Sequence, residues 1–91
     1  MRYSVTMIVD PGATDLVPDD ERLIRTLDDL DRLFISPVTD SREIEIDLGV
    51  ESPSLLGAIS DATSIVERRL EDVFGARAPR IIAVNAHEAR P

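Results

Sequence analysis

Residues 43–50, Glu-Ile-Glu-Ile-Asp-Leu-Gly-Val, constrain the fold of this chain more than any other stretch, because polar and apolar side chains alternate strictly along them. Such alternation is typical of a β-strand that places one face on a core and the other in water. The apolar face carries Ile44, Ile46, Leu48 and Val50, and the polar face carries Glu43, Glu45 and Asp47. A slip of one residue would bury these carboxylates, so we expect the pairing register to be well specified.

Three further strands are predicted. Residues 2–10 alternate in the same way, and a proline–glycine pair ends the pattern. Residues 80–86 are rich in β-branched side chains, which favour strands. Residues 35–38 are predicted to form a short edge strand, because Pro37 cannot donate to a ladder and fits only an edge. A plain loop is the alternative for this last segment.

Two amphipathic helices are predicted between these strands. The first follows Pro18, has acidic residues in its first turn, and presents apolar residues at helical spacing. Those apolar residues are Leu23, Leu27, Leu30 and Phe34. The second is predicted to begin with Ser52 as N-cap and Pro53 in the first turn, and Gly75 marks its end. Its apolar stripe is Leu55, Ile59, Ala62, Val66, Leu70 and Val73.

The element order β-α-β-β-α-β predicts an α+β fold, the ferredoxin-like plait, with an antiparallel or mixed sheet and both helices on one face. The two central strands, residues 2–10 and 43–50, are expected to lie parallel. A single domain is expected over residues 1–86, followed by a short tail, residues 87–91. The opposite face of the sheet would carry a mixed set of side chains: Ser4, Thr6, Ile8, Glu43, Glu45, Asp47, Ile82 and Val84.

Charge and composition limit the classes of partner. The 91 residues have a net charge of −8, and residues 1–52 contain 13 acids against five arginines. This acidity argues against nucleic acid as a partner, because nucleic-acid binding depends on basic residues. The chain has no cysteine, which excludes disulfides and thiolate metal sites. No apolar run approaches the roughly 20 residues of a membrane span, and no signal peptide is visible, so we expect a cytoplasmic protein without a membrane partner.

Catalysis is not predicted. His87 is the only histidine, and its place beside Glu88 near the C-terminus indicates a solvated tail residue. The acids between residues 10 and 21 match no calcium-binding spacing. Arg68 and Arg69 are interleaved with acids and are expected to form local ion pairs. We therefore expect no catalytic residue, no metal and no cofactor.

The loop after the first strand is one candidate binding site. Asp10, Gly12, Thr14 and Asp15 would line a pocket for a small, amino-acid-like ligand at the end of the strand. No basic residue lies between Arg2 and Arg22, so an anionic ligand there would depend on backbone N–H groups.

The acidic strand face is the other candidate. Glu43, Glu45 and Asp47, with Thr6 and Ile8 of the first strand, are predicted to form a protein-binding surface, although alternating acids also serve to keep a strand soluble. The leading hypothesis is a non-enzymatic protein-interaction or regulatory module that is homodimeric and binds a protein partner, preferably basic, through this face or an edge strand. The alternatives are a small-molecule sensing domain that uses the loop after the first strand, and a small dimeric enzyme. No motif in the chain points to a known family.

Overall fold

Four strands form one antiparallel sheet in the computed structural model, which describes residues 1–89. The strands are β1 (Arg2–Asp10), β2 (Phe34–Pro37), β3 (Ile44–Glu51) and β4 (Arg80–Glu88), in the spatial order β2-β3-β1-β4. The helices are α1 (Glu21–Leu27) and α2 (Leu55–Phe74), and a short 3₁₀ turn, Gly75–Arg77, follows α2. The α+β class is therefore confirmed, and the short edge strand is present, displaced by one residue. Within residues 1–89, neither helix combines the length and apolarity needed to cross a membrane.

The prediction that the two central strands lie parallel is wrong. Val5 lies opposite Leu48 and Met7 opposite Ile46 in an antiparallel ladder between β1 and β3. The reason is the route of the chain. The crossover through α1 brings β2 in parallel to β1, and the tight β2–β3 connection then reverses the direction, so β3 runs against β1.

The apolar face of the sheet forms the core together with the helices. Side chains along β1 and β3 alternate between buried and half-buried, as the period of two predicts. The buried residues of this face are Tyr3, Val5, Met7, Val9, Ile44, Ile46 and Leu48. Leu23 and Leu27 of α1 and Val66 of α2 belong to the same cluster. The helices therefore cover one face of the sheet and determine which face meets water.

Helix α1 is shorter than predicted. Asp20 caps its start by accepting a backbone hydrogen bond of 2.8 Å, and the helix ends at Leu27, just before a group of aspartates. Aspartate is a poor residue for a helix interior. The following turn is held to β3 instead, where the N–H of Gly49 donates to the Asp31 carbonyl at 2.8 Å. As a result Phe34 begins β2 and is 71% exposed, rather than completing the apolar stripe of a helix.

Helix α2 begins two residues later than predicted. Its N-cap is Ser54, whose Oγ accepts the N–H of Gly57 at 3.0 Å. The predicted N-cap, Ser52, is buried, and its N–H donates to the Met1 carbonyl at 2.9 Å in continuation of the β1–β3 ladder. Ser52 therefore extends the sheet, and the chain needs two further residues to enter the helix.

The buried face of α2 matches the predicted stripe only at its centre. Its buried residues are Ala58, Ala62, Val66 and Leu70. Leu55 and Val73, at the two ends of the predicted stripe, are 44% and 43% exposed. Gly75 ends the helix with a φ of 64° and a ψ of −140°, a backbone conformation that glycine adopts more readily than other residues.

Strand β4 continues to Glu88, two residues beyond its predicted end at Ala86. Tyr3 and Ser4 at the start of β1 pair with Glu88 and His87, so β1 offers partners to the whole length of β4. His87 therefore lies in the sheet, with an exposed side chain, and not in a tail. Of the predicted tail, residues 87–91, the last two lie outside the described residues.

A register shift in the β1–β4 ladder changes the face of Val84. The shift lies between Ile8 and Val9 and leaves Ile82 as an extra residue on β4. Because of this bulge, Ile81 and Val84 both fall on the covered face, where both pack against the core. The prediction that Val84 lies on the opposite face is therefore wrong.

Arg69 joins the two helices. Its guanidinium donates to the Thr26 carbonyl near the end of α1 at 3.0 Å and forms a two-pronged ion pair with Asp29. The hydrogen bond from Arg69 holds the pKa of Asp29 below its ordinary value. The positive charge also lies where the α1 dipole is negative. Arg69 thus pairs across the helices, and not with the acids of its own helix as the sequence suggests.

We expect Arg69→Ala to lower the free energy of unfolding by about 1–2 kcal/mol, because it removes charge-assisted hydrogen bonds that are partly screened by water. Urea denaturation measures this loss. Arg68→Ala, an exposed position on the same helix, is the matched control and should change stability by less than about 0.5 kcal/mol. Equal losses in the two variants would contradict the bridging role of Arg69.

Candidate functional site

The helices leave one face of the sheet uncovered, and we call it the open face. Its side chains form two rows across the four strands, in the order β2, β3, β1, β4. One row is Phe34, Asp47, Thr6 and Asn85, and the next is Ser36, Glu45, Ile8 and Ala83. All eight side chains are half-buried or exposed. Within these two rows the charged side chains lie on β3, and β1 and β4 contribute uncharged ones.

The structure brings together four of the five residues predicted for an interface. Glu45 lies opposite Ile8, and Asp47 lies opposite Thr6. Glu43 immediately precedes β3, in the turn from β2, where its N–H donates to the Oγ of Ser41 at 2.9 Å. By strand alternation Glu43 lies on the side of the open face, at its border.

The two carboxylates on β3 repel one another. The Oγ1 of Thr6 donates to Asp47 at 2.6 Å and holds that carboxylate in place. Asp47 in turn raises the pKa of Glu45, by accepting a hydrogen bond from the protonated form and through its own negative charge. The ionised pair is thus unfavourable in the isolated protein, and a positive group near Glu45 would relieve the repulsion.

Phe34 is the residue that sequence reasoning missed. It was assigned to the buried stripe of the first helix, yet it lies opposite Asp47 and is 71% exposed on the open face. Exposed aromatic side chains are common anchors in protein interfaces. The signal available in the sequence was the pair Phe34 and Ile35, residue types that favour strands, which is too short to outweigh the helical spacing of the leucines before it.

An apolar groove lies on the other side of β2, between that strand and α1. Pro18, Ile24, Leu33, Ile35 and Pro37 contribute to its lining, and its volume is about 580 Å³. Ile24 is 41% exposed there. The β2 edge therefore presents apolar surface on both sides.

The loop predicted to hold a small ligand is closed by hydrogen bonds of its own. The carboxylate of Asp10 accepts the N–H of Gly12 at 2.9 Å, and the Oγ1 of Thr14 donates to the Pro11 carbonyl at 2.7 Å. Arg42 donates to the carbonyls of Gly12 and Thr14 at 3.3 and 2.8 Å. Three of the four predicted ligand residues, Asp10, Gly12 and Thr14, therefore already have partners within the chain.

Asp15 is exposed and lies beside a cavity of about 320 Å³ at the end of α2. Arg22 and Phe74 line this cavity, and the guanidinium of Arg22 stacks over the Phe74 ring at 5.0 Å. Asp20 pairs with Arg22 at 3.0 Å and holds the pKa of Arg22 above its ordinary value. The charge of Arg22 is thus engaged with Asp20, and Arg77 is a second positive side chain that lines the cavity.

Neither candidate site contains a cluster of metal-binding side chains in the described residues. Within residues 1–89 there is no cluster of three or more histidine, cysteine, aspartate or glutamate side chains suited to a metal ion. His87 lies opposite Ser4 on the open face and is exposed.

Comparison of the sequence with models of known protein families finds no match, and comparison with curated proteins finds none either.

We expect Glu45→Gln to raise the melting temperature at pH 7, because it removes the repulsion between Glu45 and Asp47. The pKa of Glu45 is raised in the folded protein above its ordinary value of 4.5, so the cost of ionising it is present at neutral pH. This cost disappears as the pH falls through the raised pKa towards 4.5. The gain in melting temperature should therefore shrink over that range.

Thermal unfolding of the unmodified protein and of Glu45→Gln between pH 4 and 7 measures the difference in melting temperature. Glu67→Gln removes one negative charge from an exposed position on α2 and controls for net charge. A difference between Glu45→Gln and the unmodified protein that stays constant with pH would contradict the coupling of the two carboxylates.

Proposed function

We propose that this protein is a non-enzymatic protein-interaction or regulatory module, active as a homodimer, that binds a basic protein partner through the open face. The observation that carries the proposal is Phe34, which is 71% exposed beside the carboxylate of Asp47 on a sheet face that no helix covers. An aromatic anchor next to charge is the combination found at the energetic centre of many interfaces.

The charge on the open face specifies the kind of partner. Glu45 and Asp47 lie two residues apart on one strand face, and Asp47 raises the pKa of Glu45. An arginine or lysine of a partner would favour both ionised carboxylates and gain charge-assisted hydrogen bonds. Such complementarity increases specificity and the rate of association more than affinity, while burial of Phe34 supplies the apolar contribution.

We also propose that the fold is the ferredoxin-like β-α-β-β-α-β plait. The order of elements along the chain, the spatial order β2-β3-β1-β4 and the contact of both helices with one core support this assignment. The fold is shared by proteins of many functions and implies none by itself. The interaction function depends on the side chains of the open face alone.

The small-molecule sensing alternative has less support. Its residues Asp10, Gly12 and Thr14 make the internal hydrogen bonds that close the loop, and Arg42 occupies the outward carbonyls. A ligand would have to displace these bonds before it gained its own. A thermal-shift assay with a panel of amino acids and related metabolites tests this alternative, which requires at least one compound to raise the melting temperature.

We expect Glu43→Arg together with Glu45→Arg to weaken the binding of a host partner at least tenfold, which corresponds to about 1.4 kcal/mol. The reason is that the changes place positive charge against the basic surface of the partner. Native mass spectrometry of untagged protein, purified from its host at low salt, identifies the partner. The same measurement on each variant shows how much of the partner is recovered with it. The complex should also weaken as salt is added.

Asp61→Arg with Asp72→Arg is the matched control, because both positions are exposed on α2 and the net charge changes by the same amount. The control variant should still bind the partner, and Phe34→Ala should no longer bind it. A complex that forms equally well with all three variants would show that the open face is not the binding surface.

A further inference from the structure

Strand β4 is an edge strand whose hydrogen-bonding pattern can be deduced from one contact. The N–H of Ala89 donates to the carbonyl of Arg2 at 2.9 Å, directly beyond the last ladder pair. Hydrogen-bonded and non-hydrogen-bonded pairs alternate in an antiparallel ladder. The residues of β4 that bond to β1 are therefore His87, Asn85 and Ala83.

The intervening residues, Val84, Ala86 and Glu88, direct their N–H and C=O groups away from β1. In the part of the chain that the structure describes, β4 pairs with β1 alone, and no loop backbone bonds to this outer edge. Residues 83–88 follow the bulge at Ile82 and pair regularly with β1. Groups of this kind bind another extended strand, which is how sheets are enlarged by protein partners.

The two edges of the sheet differ in how they are protected. On β2, the N–H of Val38 donates to the Glu43 carbonyl at 3.2 Å, so by alternation Ile35 and Pro37 face outward. Pro37 has no N–H, and β2 has only four residues. Short length and proline are the usual devices that prevent edge pairing. Strand β4 has nine residues and neither device after its bulge.

The charge distribution favours a second copy of this chain at the β4 edge. Residues 81–87 contain no acid and no arginine, and residues 53–91 contain five acids and five arginines, a net charge of zero. Two copies that met through the acidic open face or the β2 side would bring together the half of the chain with a net charge of −8. At the β4 edge they meet with little repulsion.

An exposed apolar side chain lies on the helix flank beside this edge. Leu56 is 78% exposed, the largest exposure among the large apolar residues of the chain. It precedes Glu67 by eleven residues, about three helical turns, so the two share a face of α2. Glu67 borders Arg80 and Ile81 of β4. Leu56 therefore lies on the β4 side, where a second copy would cover it.

We propose that two copies of this chain pair antiparallel through the outer edge of β4, with Asn85 facing Asn85 of the other copy on the two-fold axis. In this register Val84 of each copy exchanges backbone hydrogen bonds with Ala86 of the other, and their side chains meet on the covered side of the sheet. On the open face the two Asn85 amides face each other and are able to hydrogen-bond. The inference rests on the homodimer of the proposed function and specifies its interface.

The arrangement produces a continuous eight-stranded sheet and leaves both acidic surfaces uncovered. Phe34 and the β3 carboxylates of each copy lie three and two strands from the seam, since the order within each copy is β2-β3-β1-β4. The dimer therefore presents two separate partner-binding surfaces and gains avidity towards a repeated or dimeric partner.

The mass of the purified protein in solution tests the dimer without any partner. Sedimentation equilibrium should give about twice the chain mass of 10.0 kDa. Ala86→Pro removes an outward N–H without touching the ladder to β1 and should return the mass to that of one chain, with an unchanged circular dichroism spectrum. A single-chain mass for the unmodified protein at 100 µM would overturn the proposal.

Single cysteine variants test the register, because the chain has no cysteine of its own. The two Asn85 positions would form a non-hydrogen-bonded pair with Cα atoms about 4.5 Å apart, within reach of a disulfide. Asn85→Cys should therefore give a covalent dimer under mild oxidation. Ala83→Cys is the matched control on the same strand face, and its two copies would lie about 13 Å apart and should stay unlinked.

Each outcome separates this inference from the proposed function. A dimer that cross-links through Asn85→Cys and not through Ala83→Cys supports the β4 interface, whether or not a partner is found. Equal cross-linking at both positions, or a dimer in which neither position cross-links, would overturn it. If Ala86→Pro fails to fold, the cysteine pair still decides the question.

Discussion

The register between β1 and β3 is the constraint on which the rest of the structure depends. It places Val5 and Met7 against Leu48 and Ile46, and these side chains form the floor of the core. Every other side chain on the two strands must then face the opposite way. The acidity of the open face follows from this pairing, because it directs the acidic side chains of β3 to the face opposite the core.

The same register determines what each edge of the sheet offers. Bonds from β1 to β3 occupy one set of its backbone groups, and bonds to β4 occupy the alternate set. On the acidic side, β2 is short and contains Pro37, so it discourages backbone pairing while its side chains remain exposed. On the uncharged side, β4 keeps a regular free edge. In the proposed function and dimer, recognition by side chains and pairing by backbone therefore use opposite ends of one sheet.

The elements predicted correctly are those whose local pattern of polar and apolar residues agrees with their position in the fold. β1 has the predicted bounds, and the four predicted interface residues on β1 and β3 share a face because strict alternation leaves no other arrangement. The end of α1 was wrong because helical spacing continued past Leu27, while the bond between Gly49 and Asp31 that holds the turn is contributed from a distant strand. Phe34 was misplaced for the same reason.

Contacts between segments that are distant in the sequence also determine features that the local sequence pattern does not encode. The bulge at Ile82 moved Val84 to the covered face, and the length of β4 depended on the partners that β1 offers to His87 and Glu88. Arg69 pairs with Asp29, in the turn after α1, and not with the acids of its own helix. In each case two distant segments had to be placed side by side before the interaction became visible.

The measurement that tests the central claim most directly is carboxyl footprinting of the protein in a low-salt extract of its host and, separately, in pure dilute solution. Carbodiimide coupling labels exposed acids, and mass spectrometry quantifies the labelling at each position. The account predicts that labelling of Glu45 and Asp47 falls in the extract while that of Asp61 and Asp72 on α2 stays the same. Unchanged labelling of Glu45 and Asp47, or equal protection of all four, would contradict an open face that binds a partner.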